Sequence, residues 1–289
     1  METETIFFFE LEHKSEFSRP SPVVDFPLPI PKILIFISDI VLQNGNPDFL
    51  NFDRVCKGAI SSFMSLDGQY FRASHVEPEH MDLLWANGWR HFGSFFFRYS
   101  TTVWNGQVCT VLPLRIDLEH FCLSKSQKRV LARNRDLEVV IRDTVIDDEK
   151  EELFFRHVVR FDHNIPNSIF DFLSTQPATI PCQNQEICVY GKDGALLAAS
   201  FLDLGQQATS AVYAMFDPEE TKRSLGIFTM LIAIRYSIER GCQFYYPGYA
   251  YREPSFYDYK KRFSALNYFD WWGDWIPYQA EETVTSEFS

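Results

Sequence analysis

The chain has 289 residues, 46% of them hydrophobic and 16% aromatic, with 28 Phe and 13 Tyr; that is ample for one large domain or two modest lobes and excludes disorder as the default. A formal charge of −12 argues against a protein that coats nucleic acid along its length, because phosphate neutralisation needs concentrated Lys and Arg, so any RNA contact has to be local and DNA is not an expected partner. Six cysteines (Cys56, Cys109, Cys122, Cys182, Cys188, Cys242) lie scattered, with no CxxC pair and no His at ligand spacing, so neither a disulfide framework nor a metal site is expected.

Residues 1–17 open with acids and lack a basic segment ahead of a long apolar one, so no secretory signal is expected and the chain reads as cytoplasmic. Pro22 to Leu42 is apolar but broken by Asp25, Pro27, Pro29, Pro31 and Asp39, which makes a membrane span costly; within it, Lys32 to Ile37 reads as a strand. A short helix is predicted from Pro78 to Trp85, ending at Gly88, followed by strands over Phe92–Tyr99 and Val108–Ile116. Ser124 to Arg135 reads as a helix with Lys125, Lys128, Arg129, Arg133 and Arg135 gathered on one side. Residues 148–161 form a second helical pattern, with Leu153, Phe154, Val158 and Val159 as its apolar stripe. Ile187–Tyr190, Leu196–Asp203 and Thr209–Phe216 read as an antiparallel meander. A helix from Leu225 to Arg240 then closes on Gly241, and Phe244–Tyr246 is a short buried strand. The order strand, strand, helix, strand is similar to the core of acyl-CoA-dependent N-acetyltransferases. The expected fold is therefore α/β, a GNAT-like mixed sheet flanked by helices.

Three segments carry chemistry. Asp217 to Gly226 is a strand exit leading into a helix start, where free backbone amides hold a phosphate or a developing oxyanion. Arg223 and Gly226 fit the acetyltransferase pattern Gln/Arg-x-x-Gly-x-Gly/Ala, but the last position is Phe228. A ring there is expected to obstruct a coenzyme A pyrophosphate and favours another acyl donor. A plain helix cap with no ligand accounts for the same residues. The tyrosines from Tyr245 to Tyr251, with Tyr257, Tyr259 and Lys260, suit stacking on an adenine and hydrogen bonding to a ribose; core packing explains about half of them. The cationic helix suits an RNA acceptor stem, or is simply a solvated face.

Several short motifs occur in one order from Met81 to Phe263: Gly88-Trp89-Arg90-His91-Phe92-Gly93, Pro113-Leu114-Arg115, Ser124-Lys125-Ser126-Gln127-Lys128-Arg129, Ser210-Ala211-Val212-Tyr213, Phe216-Asp217-Pro218, Ser224-Leu225-Gly226, Tyr245-Tyr246 and Tyr259-Lys260. With them the chain resembles the arginyl-tRNA-protein transferase family, which includes bacterial leucyl-transferring members. It departs from the family where a cysteine cluster commonly precedes the Pro113 segment, since only Cys109 is present there. The resemblance implies a lobe of the aminoacyl-tRNA-protein transferase type over residues 1–116 and a GNAT-like transferase domain over 117–289.

It also implies an N-degron-type activity, protein arginylation in the namesake members. An amino acid, arginine or leucine, passes from charged tRNA to the N-terminal α-amine of an acceptor protein, with an acidic first residue expected. Charged tRNA is the co-substrate and no cofactor is expected. The implied assignments are the Ser224, Leu225 and Gly226 backbone for the oxyanion or terminal phosphate and Tyr246 and Tyr249 for the adenosine, with Arg223, Gly248 and Tyr259 as further substrate-binding residues. Lys125, Lys128 and Arg129 fall to the acceptor stem, Asp217 to the amine and its proton, and Lys260 to an acidic residue or a phosphate. Asp217, Ser224, Gly226 and Tyr246 form the catalytic set. The alternatives are an acyl-CoA-dependent transferase acting on a small amine, and a non-catalytic relative that binds protein termini or RNA.

Overall fold

The computed structural model describes residues 68–104, 106–161 and 165–279; the strand expected at 32–37 lies outside them. It opens with β1 (Gln69–Arg72) and α1 (Pro78–Ala86), then a hairpin of β2 (Arg90–Phe92) and β3 (Phe95–Arg98). Pro78 suits the first turn of α1, where its missing N–H is no loss, and Gly88, at φ +81°, ends the segment. The single strand expected over Phe92–Tyr99 is two strands, because the chain reverses at Gly93, φ +50°. The phenylalanines on both sides mask that turn, since an unbroken apolar run carries no loop signal.

Next come β4 (Thr101–Trp104), β5 (Gln107–Asp117), α2 (Lys125–Arg133), β6 (Glu138–Asp143) and α3 (Asp148–Val158). The helix α2 starts on a capping box in which Ser124 and Gln127 satisfy each other's backbone amides. Its successor α3 starts on Asp147, carries acids in the first turn and Arg156 in the last, and so complements its own dipole. It stops at Val158, which leaves Val159, expected on the apolar stripe, 75% exposed. The meander is β7 (Asn184–Tyr190), β8 (Leu196–Leu204) and β9 (Ala208–Phe216), antiparallel as expected. Helix α4 (Leu225–Glu239) and strand β10 (Phe244–Tyr251) follow, then a 3-10 turn over Phe256–Arg262, β11 (Leu266–Phe269) and β12 (Trp275–Pro277). Among the described residues no helix is long and apolar enough to cross a membrane.

A nine-stranded mixed sheet runs β12-β11-β5-β10-β9-β8-β7-β6, with β4 paired onto β5, while β1, β3 and β2 form a separate small sheet. One joint in the large sheet matters most. β10 lies parallel to β9 over only Phe244↔Ala208, Tyr245↔Thr209 and Tyr246↔Ser210. The next residue, Pro247, has no N–H to give a ladder. Gly248, at φ +92°, then re-aims the chain, and the register against β5 shifts between Tyr245 and Gly248. Beyond it β10 follows β5 to Tyr251↔Val111, whereas β9 continues along β8. The two parallel strands therefore part, and a cleft opens between them.

Three cores support this joint. α4 packs on β8 and β9; Phe228, Leu231 and Ile234 join Val111, Leu114, Leu202 and Tyr249 in the main core. Leu153 and Phe154 of α3 cover Phe201, Tyr213 and Met215 on another part of the sheet. Trp85 of α1 meets Trp89, Phe96 and Tyr246 in the third core. Within the second, His157 sits wholly buried, its Nδ1 3.0 Å from the Phe216 amide, which can only donate to it. Burial, and then the neighbouring Arg160 charge, lower its pKa to about 3 from the ordinary 6.5.

The folded state thus refuses a proton that the unfolded state accepts below pH 6.5. Stability contributed by neutral His157 is complete above that value and is lost as the pH falls towards about 3. Melting temperatures measured from pH 7 to pH 4 are expected to fall more steeply for the wild type than for His157→Asn. Parallel slopes would show that His157 is not held neutral.

Candidate functional site

The parting strands, with α4 and the 3-10 turn, enclose a cleft of about 730 Å³, part of it open to solvent. β9 contributes Ala211 to Ala214, α4 contributes Gly226, Thr229, Met230 and Ala233, and β10 contributes Tyr245, Pro247 and Gly248. Tyr259 and Lys260 close it from the turn. Gly226, Gly248, Tyr259 and Lys260, four of the residues expected at the site, are brought together here. Lys260 is buried and its Nζ donates to the Tyr249 carbonyl at 3.0 Å. Desolvation, with a smaller contribution from the Arg90 charge, brings the pKa of this amine down to about 7.

The start of α4 borders the cleft through Gly226. Ser224 holds a left-handed conformation, φ +52°, and its side chain makes no cap hydrogen bond. Arg223 is committed elsewhere: it donates to both oxygens of Asp136 at 3.0 and 3.2 Å and to Glu220 at 2.9 Å, which fixes the loop ahead of the helix. Leu225 is buried in the main core, so its backbone alone is a candidate ligand group. The ring of Phe228, expected to obstruct a pyrophosphate, is turned into the same core and does not line the cleft. Asn134, at the end of α2, donates to the Arg223 carbonyl at 2.8 Å, and Arg133 donates to that of Lys222. The basic helix is thereby fastened to the loop that leads into α4, with Lys125, Lys128 and Arg129 exposed.

Three other expected residues stand apart from the cleft lining. Asp217 lies 3.6 Å from Arg156 and accepts from the Glu219 amide at 2.9 Å, so its carboxylate serves the β9 exit. Tyr246 is buried in the third core, where Arg90 stands 5.1 Å from its ring. Tyr249 is also buried, and its hydroxyl donates to the Gly88 carbonyl at 2.6 Å. Burial raises the pKa of both phenols.

Behind the joint lies a second, smaller space of about 350 Å³. It shares Ala211, Val212 and Gly248 with the cleft, and Arg90, His91, Asp203, Ser210 and Tyr249 also line it. His91 Nε2 is 2.6 Å from Asp203, its Nδ1 is 2.9 Å from the Gly93 carbonyl, and Asn184 donates to the other Asp203 oxygen at 2.8 Å. Cys182 completes a buried trio whose ligand atoms lie within 4.8 Å of one another. A 2.6 Å separation of His91 and Asp203 suits a hydrogen bond; two ligands on one tetrahedral zinc stand roughly 3.4 Å apart. The trio is therefore a hydrogen-bonded support in this conformation. Sequence reasoning met Arg90 and His91 only as motif letters and missed Asp203, because 112 residues separate it from His91.

A family model for the C terminus of arginine-tRNA-protein transferase matches residues 147–270. A protein of Stenotrophomonas maltophilia (strain K279a) named aspartate/glutamate leucyltransferase is 31% identical over 192 residues, 63% of this chain and 74% of that protein. One of the same name from Leptospira interrogans (serovar copenhageni) is 29% identical over 224 residues, 76% of this chain and 81% of its own. The solved structure of FemX overlays with a TM-score of 0.40 at 11% identity, covering 73% of this chain and 70% of that one, too loose a likeness to argue from. The parted strands, the helix start beside them and these relatives agree: the chain belongs to the arginine-tRNA-protein transferase family and is an aminoacyltransferase.

Proposed function

We propose that the protein moves leucine from leucyl-tRNA to the N-terminal α-amine of an acceptor whose first residue is acidic. The cleft lining carries the choice of donor. Among the described residues it holds Leu202, Ala214, Met230 and Ala233 but no Asp or Glu, and its one basic group is the Lys260 amine. An arginyl side chain would lose water there without gaining an anion. A leucyl side chain gains by burial, at roughly 25 cal/mol per Å² of apolar surface. The names of the relatives, aspartate/glutamate leucyltransferases, support the same donor and the acidic acceptor.

The reaction is acyl transfer. A neutral α-amine attacks the aminoacyl ester carbonyl, the tetrahedral intermediate collapses, and the ribose hydroxyl leaves. The ester is already activated, so positioning, a proton acceptor and oxyanion stabilisation suffice, with no covalent enzyme intermediate or cofactor. Lys260, with a pKa of about 7, accepts the amine proton in place of Asp217, whose carboxylate serves another element. Backbone amides at Ser224, Leu225 and Gly226 face the oxyanion or the terminal phosphate. Tyr259 stacks on the adenosine, since Tyr246 and Tyr249 are enclosed, and Lys125, Lys128 and Arg129 meet the acceptor stem.

The decisive assay offers each charged tRNA, with a labelled amino acid, to peptides beginning with Asp, Glu or Ala. Leucine is expected on the acidic peptides; no incorporation from any charged tRNA by folded protein would sink the proposal. Lys260→Met is expected to lower transfer by about 10²-fold or more without lowering the melting temperature, because a buried amine gives way to an apolar chain. Transfer within tenfold of wild type would remove Lys260 from the mechanism. Lys125→Ala and Lys128→Ala should each weaken tRNA binding for every charged tRNA alike and reduce the salt slope by about one; an unchanged slope would mark the helix as a solvated face.

A further inference from the structure

Arg90 is 6% exposed, yet among the described residues it has no carboxylate partner of its own. Its two terminal nitrogens donate to the carbonyls of Trp89 and Leu114, the second at a long 3.3 Å, and its Nε–H has no hydrogen-bond partner among the described residues. The rings of Tyr246 and Tyr249 flank the guanidinium at 5.1 and 5.5 Å and offset part of its desolvation. Asp203, the anion that shares this space, is taken up by His91 and Asn184. A buried cation left with a free donor edge is costly unless something else completes it.

The side of the guanidinium formed by Nε and the loosely held terminal nitrogen matches the two oxygens of a carboxylate. Arg90 lines the space behind the joint, which adjoins the donor cleft through Ala211, Val212 and Gly248. A group held there sits within one side chain's length of the parted strands. We infer that Arg90 is the acceptor-specificity residue: it binds the side-chain carboxylate of the acceptor's first residue while that residue's α-amine reaches through the joint to the ester. His91 and Asp203 do not bind the acceptor; their hydrogen bond holds the β2–β3 hairpin, and hence Arg90, against β8. The inference rests on the acceptor reading above and deepens it.

The experiment measures kcat/KM for peptides beginning with Asp and with Asn, its neutral isostere, using leucyl-tRNA with the wild type and with Arg90→Gln and Arg90→Lys. The wild type is expected to prefer Asp. In Arg90→Gln that preference should fall by at least about thirtyfold, the cost of truncating one partner of a buried charged pair, while the Asn peptide loses little. Arg90→Lys, which keeps the charge, should retain part of the preference. If the wild type prefers Asp and folded Arg90→Gln prefers it equally, the inference is overturned and the proposed function stands. If the wild type does not discriminate Asp from Asn, the acceptor reading itself fails. Should the variants not fold, wild-type NMR decides: the Arg90 Nε–H resonance is expected to shift with the dipeptide Asp-Ala and to stay still with Asn-Ala, and no shift with either overturns the assignment.

Discussion

The structure depends on the parting of β9 and β10. Parallel strands in a sheet ordinarily run side by side for their whole length, since each residue pair adds backbone hydrogen bonds. Here pairing stops after three residue pairs, because Pro247 has no N–H and Gly248 takes a backbone angle that other residues adopt only under strain. Peptide groups released by the interruption, and those at the start of α4, then face the cleft instead of each other. No loop has to fold over to make a site. The cleft is the sheet's own discontinuity, and three cores hold its edges apart.

Much of this was legible in the sequence, and the rest was hidden for identifiable reasons. The helices at Pro78, Lys125, Asp148 and Leu225 and the meander from Asn184 to Phe216 carry strong local signals: proline and glycine punctuation, an N-cap Ser or Asp, apolar periodicity. The β2–β3 hairpin was hidden because Gly93 sits among phenylalanines that read as one strand. β10 ran on past its expected end at Tyr246 because pairing with β5 resumes at Gly248, and a long-range partner leaves no mark on local pattern. Gly226, Gly248, Tyr259 and Lys260, marked by motif order, come together in one cleft. Which tyrosines face the cleft was not legible, since Tyr245, Tyr246 and Tyr249 are all buried and only the joint's geometry separates their environments.

The buried polar groups divide by what completes them. Glu186 is matched by Arg142 at 2.6 Å and Lys150 at 3.2 Å, a closed set that ties β6, β7 and α3 together and leaves nothing over for a ligand. Near the joint the sets are open. Lys260 is driven towards neutrality, and Arg90 keeps an unused donor. Groups like these lower stability, and proteins keep them where function needs them. The contrast between closed and open sets separates scaffold from site without reference to any relative.

An activated ester needs little chemical help, so rate comes from holding donor and acceptor at bonding distance with the amine unprotonated. The wall shared by the two spaces consists of Ala211, Val212 and Gly248, and the size of these residues sets how closely the two spaces approach each other. A Cβ on residue 248 would stand 3.3 Å from the Lys260 nitrogen, tight against the amine that lines the cleft. Glycine at that position therefore answers two demands at once: the backbone angle that parts the strands, and the room beside the Lys260 amine. The feature that breaks the sheet is also the one that keeps its gap usable, which explains why a fold otherwise rich in closed packing leaves this place open.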